Sequence, residues 1–168
     1  MNKIAVGEEQ RTPAQVADAT SQKGWWQSVR VCDIMSTTVL CVDSLTTVTE
    51  AQAIMKEQRI RRLPVIDEGK LVGIVTQGDV RGALPSEVTT LNRAEQEYLM
   101  KQVKVSRMMH SEVITVAPET TLADAARLMV KYKIGGLPVV EAGNVIGMVT
   151  ESDIFGTVVK MFDSVDKA

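Results

Sequence analysis

One segment of this chain occurs twice. Val31 to Leu84 lies over Val105 to Val158 at a constant shift of 74 positions, without a gap. Roughly a third of the aligned positions are identical, and most others exchange one aliphatic for another, so the stretch is a structural unit repeated in space. The correspondence is plainest in the second half of each copy, where RRLPVIDEGKLVGIVTQGDVRGAL stands against GGLPVVEAGNVIGMVTESDIFGTV. Two like halves bury a pseudo-symmetric seam, and a ligand held there is seen by both. The repeat divides the chain into a polar N-terminal arm (1–30), a first copy (31–84), a linker (85–104), a second copy (105–158) and a C-terminal tail (159–168).

A chain of 168 residues suits one compact domain built from two halves. Aromatic residues make up only 4%, so the core must come from Val, Ile, Leu and Met. A net charge of −2 with no basic stripe argues against binding to nucleic-acid backbone. Cys32 and Cys41 are expected as small buried residues, because a metal site needs more ligands than they and the lone His110 supply. No apolar run approaches the roughly 18 residues of a membrane span, and no secretion-signal series opens the chain. A cytoplasmic protein is the expectation. In the arm, a helix over Ala14 to Ser21 is compatible with the sequence, but a mobile segment is expected. Trp25 and Trp26 can anchor it on the domain or on a partner.

Within each copy the pattern runs strand, helix, strand, strand, helix. Val39 to Val42 and Val113 to Val116 are β-rich runs that read as buried strands. Thr47 stands three before Glu50 and Thr121 three before Asp124, each predicting a capped helix start. Behind the caps, Val48, Ala51, Ile54 and Met55 match Leu122, Ala125, Leu128 and Met129, an apolar stripe facing a sheet. Leu63 to Ile66 and Leu137 to Val140 are strands opened by Leu-Pro. Each turns back through Gly69 or Gly143 into Leu71 to Val75 or Val145 to Val149, a β-hairpin. A short helix follows Thr76 and Thr150. In the linker, Asn92 and Glu95 predict a cap, and Tyr98, Leu99 and Val103 give the helix one apolar side for the domain, a dimer contact or a docking partner.

The gapless duplication, the two Leu-Pro strands and the paired segments GIVTQGD and GMVTESD resemble the cystathionine-β-synthase (CBS) domain pair. The resemblance covers Val31 to Val158. The EVTTLNRAEQEYL insert and the IGGLPVVEAG stretch are most similar to small stand-alone bacterial proteins of the acetoin-utilisation type. It implies an α/β (α+β) fold of tandem CBS motifs, each β-α-β-β-α, packed with pseudo-two-fold symmetry. It also implies a regulatory module that commonly dimerises.

The repeated T-x-x-D carries chemistry of its own. It sits where a strand turns into a helix, so free amides and the positive end of the helix dipole point into any cleft there. A carboxylate in that place can accept both hydroxyls of a ribose, as acidic residues do in dinucleotide-binding folds. Asp79 and Asp153 are the candidates for that contact, and Thr76 with Gly78, and Thr150 with Ser152, complete the two segments. As a lone motif T-x-x-D reads as a helix cap. Its recurrence at one place in a CBS-like pair favours the ligand. The resemblance further implies an adenine slot lined by the first strand and by the residues ahead of Leu-Pro. Here those are Thr38, Leu40 and Ile60 in the first copy, and Ile114 and Ile134 in the second.

The copies differ most just before Leu-Pro, where the first has Arg61-Arg62 and the second Gly135-Gly136. Two guanidiniums beside a nucleoside cleft can grip phosphate oxygens, and RIRRLPVID is similar to the phosphate-binding stretch of the γ subunit of AMP-activated kinase. The glycines let a ligand approach the backbone or permit a tight bend. Unequal sites are expected. Catalysis finds no nucleophile–base pair and no Gly-rich phosphate loop. The expected function is a non-enzymatic sensor: an AMP-, ADP- or ATP-like adenine nucleotide as regulatory ligand, no catalytic cofactor, a homodimer, and an unknown regulated protein in trans. Two alternatives stand beside it, a ligand-free dimerising scaffold and an interaction protein acting through the N-terminal arm.

Overall fold

The computed structural model describes residues 28–83, 92, 95, 98 and 101–165. The arm with Trp25 and Trp26, most of the linker including Leu99, and the last three residues lie outside this set. Each copy contributes a helix, a two-stranded hairpin and a second helix: α1 (Val48–Glu57), β1 (Arg62–Asp67), β2 (Lys70–Thr76) and α2 (Gln77–Ala83), then α3 (Leu122–Tyr132), β3 (Gly136–Glu141), β4 (Asn144–Thr150) and α4 (Glu151–Val165). Short 3-10 turns at Val31–Asp33 and Val105–Arg107 precede them.

Local chemistry accounts for the ends of these elements. Thr47 accepts from the Glu50 amide at 3.2 Å while Glu50 Oε2 accepts from the Thr47 amide at 2.8 Å, a reciprocal capping box. Thr121 keeps one half of the box, its hydroxyl accepting from the Asp124 amide at 3.1 Å. Both helices stop by placing a residue in the left-handed region, Arg59 and Lys133, each at φ 54°. The next amide then reaches back five residues, Ile60 to the Met55 carbonyl at 2.9 Å and Ile134 to Met129 at 3.0 Å. This Schellman-type stop folds an isoleucine back onto each core. The hairpins turn through Glu68-Gly69 and Ala142-Gly143, all four at positive φ, as a two-residue type I′ turn requires. In the linker, Asn92 and Glu95 exchange both bonds of a box, at 2.8 and 3.0 Å.

Three expectations need correction. The runs at Val39 to Val42 and Val113 to Val116 are not strands; only Val42 and Val116 pair, each by one parallel bridge to Val65 and Val139. Proline is the reason. Val42 donates to the Pro64 carbonyl and accepts from Ile66, so the next ladder bond would run from residue 64 to the Leu40 carbonyl. Pro64 has no N–H to give, and Pro138 withholds the same bond from Ile114. Cys32 and Cys41, expected inside, are exposed. The second closing helix is not short: α4 runs 15 residues and carries much of the expected tail. Its Phe155, Val159 and Phe162 form an exposed apolar stripe at helical spacing.

The core has two clusters, and each borrows from the other copy. Val31 is fully buried with Leu137, Val139 and Val149, whereas Val105 is buried with Leu63, Val65 and Val75. Backbone bonds secure the exchange: Val31 donates to Thr120 at 2.9 Å, and Val105 to Thr46 at 2.8 Å. Further on, Ser36 bridges Met148 in β4, and His110 bridges Ile74 in β2. Met35 and Met109 lie over Gly147 and Gly73, where a Cβ would come within 2.5 and 2.6 Å of the thioether sulfurs. The opening turn of each copy is thus part of the other copy's core. Among the described residues, no helix is long and apolar enough to cross a membrane, and no cluster of His, Cys, Asp and Glu could hold a metal ion.

Candidate functional site

Two clefts open along the seam between the copies. The first, about 250 Å³, takes Thr38, Leu40, Ile60, Arg61 and Arg62 from the first copy and Thr150, Ser152 and Asp153 from the second. The second, about 590 Å³, takes Thr76 and Gly78 from the first copy and Ile114, Ile134, Gly135 and Gly136 from the second, with Arg61 and Arg62 again on its wall. Each cleft therefore combines the open first-strand segment of one copy with the T-x-x-D segment of the other. The second falls in the range of about 300–1,000 Å³ usual for small-molecule sites, and the first is slightly smaller. Of the residues picked from sequence, only Asp79 is absent from both linings.

Both T-x-x-D segments form caps. Asp79 Oδ2 accepts from the Thr76 amide at 2.8 Å and its hydroxyl at 2.7 Å, and the Asp79 amide donates back to that hydroxyl at 3.3 Å. Asp153 Oδ2 accepts from the Thr150 amide and hydroxyl, both at 2.7 Å. One oxygen of each carboxylate is thereby committed to the fold. The cap and the ligand role are not exclusive, because a carboxylate has a second oxygen.

The contrast between Arg61-Arg62 and Gly135-Gly136 has a steric cause. Positions 62 and 136 are equivalent in the repeat and meet across the seam. The Arg62 guanidinium lies against the glycines: a Cβ on Gly136 would fall 1.7 Å from Nη1 and 2.9 Å from Cζ, and one on Gly135 would fall 2.8 Å from Nη2. Gly136 makes room for Arg62, a packing role that the sequence alone did not indicate. The arginine gains little where it lies. Nη1 is buried with no hydrogen-bond partner among the described residues. Burial, then the neighbouring Arg61, draws the guanidinium below arginine's ordinary value, with Glu151 opposing.

Further cations that no motif marks stand on the cleft walls. Arg59 stands on the wall of the first cleft, and Lys133 and Arg81 on that of the second. Arg59 and Lys133 are repeat equivalents, the two left-handed residues that end α1 and α3. A basic residue at one position of both copies was a readable signal; that the helix stop turns it toward the cleft was not. His110 and Glu112 also line the second cleft.

The model of the CBS domain matches residues 31–86 and again residues 105–160. The chain belongs to the CBS-domain family. A CBS domain-containing protein of Dictyostelium discoideum is 34% identical over 139 residues, which span 82% of this chain and 96% of the relative. Among solved structures, a putative acetoin utilization protein from Vibrio cholerae superposes with a TM-score of 0.68 at 29% identity, covering 83% of this chain and 97% of that one. The CBS domain pair of protein MJ0100, in complex with 5′-methylthioadenosine and S-adenosyl-L-methionine, superposes with a TM-score of 0.66 at 30% identity, covering 79% and 98%. The tandem CBS architecture that the resemblance implied is thus the observed one, and its structural neighbours include a putative acetoin utilization protein.

Proposed function

We propose that this CBS pair is a non-enzymatic regulatory module that binds an adenine nucleotide in its inter-copy clefts and passes the bound state to a separate protein. The complex of the MJ0100 pair with two adenosyl compounds supports the adenosyl class. The observation that carries the phosphorylated form is Arg62: a guanidinium on the wall of both clefts, beside Arg61, with a buried nitrogen that has no partner among the described residues. A buried N–H without an acceptor is costly, and a phosphate oxygen in contact with the guanidinium relieves that cost. Adenine fits the apolar walls, Leu40 and Ile60 in one cleft and Ile114 and Ile134 in the other. The backbone freed by Pro64 and Pro138 offers it hydrogen-bonding groups.

Because Arg61 and Arg62 belong to both clefts, a ligand in one alters the field in the other. The copies interlock through their exchanged turns, so a ligand that favours one relative arrangement is felt in both cores. The shift is limited to the ligand's differential affinity for the two arrangements. The exposed Phe155, Val159 and Phe162 stripe on α4 supports a homodimer.

The test is thermal unfolding with AMP, ADP, ATP, S-adenosyl-L-methionine and 5′-methylthioadenosine, followed by titration of Arg62→Ala with AMP and adenosine. A ligand at a hundred times its Kd adds about 2.7 kcal/mol, a rise of several degrees in Tm for a chain of this size. AMP is expected to stabilise the protein, and Arg62→Ala to weaken AMP more than adenosine. Equal losses for both would remove the phosphate role. A response to the sulfonium or thioether compounds alone would move the ligand class away from nucleotides, and no response to any would favour the ligand-free scaffold.

A further inference from the structure

The clefts are unequal at one carboxylate oxygen. Asp79 and Asp153 are equivalent in the repeat, and in each Oδ2 accepts two hydrogens from its own cap, which fills that oxygen. Only Oδ1 remains for a ligand. At Asp79 it is engaged: His110 Nε2 stands 3.0 Å away. An ionised carboxylate only accepts, so that nitrogen carries the hydrogen. At Asp153, Oδ1 has no hydrogen-bond or ion-pair partner among the described residues, and Asp153 lines the first cleft while Asp79 lines neither.

The difference traces to one repeat position. His110 corresponds to Ser36, and both sit on equivalent antiparallel bridges, to Ile74 in β2 and to Met148 in β4. The backbone is the same in the two places, so the side chain decides. Histidine reaches across to the carboxylate of the facing T-x-x-D. Serine is too short, and its hydroxyl stays near the Thr38 carbonyl at 3.4 Å.

We infer that His110 withholds the ribose-reading carboxylate from the second cleft, so that only the first cleft, where Ser36 leaves Asp153 Oδ1 open, distinguishes a 2′,3′-diol from its deoxygenated counterpart. The inference rests on the adenosyl-ligand reading and deepens it. Asp153 Oδ1 has two lone pairs for two hydroxyls. Asp79 Oδ1 has one left, and Asp79 does not line the cleft. The second cleft, ringed by Arg61, Arg62, Arg81 and Lys133, selects its occupant by phosphate charge instead.

Isothermal titration with AMP and with 2′,3′-dideoxyadenosine 5′-monophosphate tests this on the wild type, Ser36→His and His110→Ser. Hydrogen bonds to a charged acceptor are worth about tenfold or more in affinity each. The wild type is expected to show one binding event that weakens at least about tenfold with the dideoxy compound. Ser36→His should abolish that discrimination, and His110→Ser should create a second diol-dependent event. If His110→Ser fails to fold, Ser36→His reads the same rule in the other cleft. AMP binding with discrimination unchanged in both variants overturns this inference and leaves the proposed function standing. No binding of AMP, or of ADP or ATP put in its place, to any of the three proteins overturns the proposed function, and the inference with it.

Discussion

Substituting Gly136 by alanine should destabilise the protein through one neighbour, Arg62. The glycine is buried at the start of β3, and its φ lies outside the left-handed region, so alanine is acceptable to the backbone. The added Cβ would meet Nη1 at 1.7 Å and Cζ at 2.9 Å, both far below contact, and the Val149 carbonyl at 3.1 Å, which is merely tight. The guanidinium must leave its place or the seam must open, and overpacking of this kind costs about 1–3 kcal/mol. In an Arg62→Met background the offending atoms are gone while most of the aliphatic stem remains. There the substitution should cost close to nothing, since Gly→Ala at a compatible φ contributes about 0.4–1 kcal/mol of stability, offset by the contact with Val149. The four proteins, compared by urea denaturation, should show a coupling of about 1–3 kcal/mol. Arg62→Met alone should be neutral or stabilising, because it removes a buried donor without a partner. Additive effects within a few tenths of a kcal/mol would refute the claim that Gly136 is small in order to admit Arg62.

Acid should weaken the fold through three capped or bridged carboxylates. Hydrogen bonds from Thr47 hold Glu50 below the ordinary 4.5, those from Ser44 hold Asp67 below 3.8, and Thr121 and then Arg127 do the same for Asp124. A carboxyl lowered in the folded state adds stability above its unfolded value and loses it as pH falls through the folded one. Urea midpoints should therefore drop between pH 5 and pH 3, and less in a Glu50→Gln, Asp67→Asn, Asp124→Asn triple variant; identical slopes would contradict the assignment. The exchanged turns predict that residues 31–84 made alone will not fold, because Val105 is missing from their core. Circular dichroism of that fragment, by itself and mixed with residues 101–165, checks this: a native-like unfolding transition from the first copy alone would show that it needs no loan.

What the sequence determined by itself was whatever is written within a few residues or within the repeat. The caps at Thr47 and Thr121, the apolar stripes behind them and the hairpin turns at Gly69 and Gly143 follow from short-range pattern, because the bonds that set them close over a few residues, while the tandem CBS fold was legible through the resemblance that the gapless repeat carries. The same reasoning misplaced the runs at Val39 and Val113: their β-branched composition suits a strand, but a strand needs a donor opposite, and Pro64 and Pro138 have none. Residue type predicts Cys32 and Cys41 inside, a statistical tendency that says nothing about which way a loop faces. Only the tertiary structure decided who meets whom across the seam. Val31 and Val105 trade cores, Gly136 yields its volume to Arg62, and His110 takes an oxygen of Asp79 while Ser36 leaves that of Asp153 open. Asp79 and His110 are 31 residues apart, Arg62 and Gly136 74, and Val31 and Leu137 106. Their partners are chosen by how two near-identical halves dock, and since the halves are alike in pattern, periodicity cannot tell a contact within a copy from one between them.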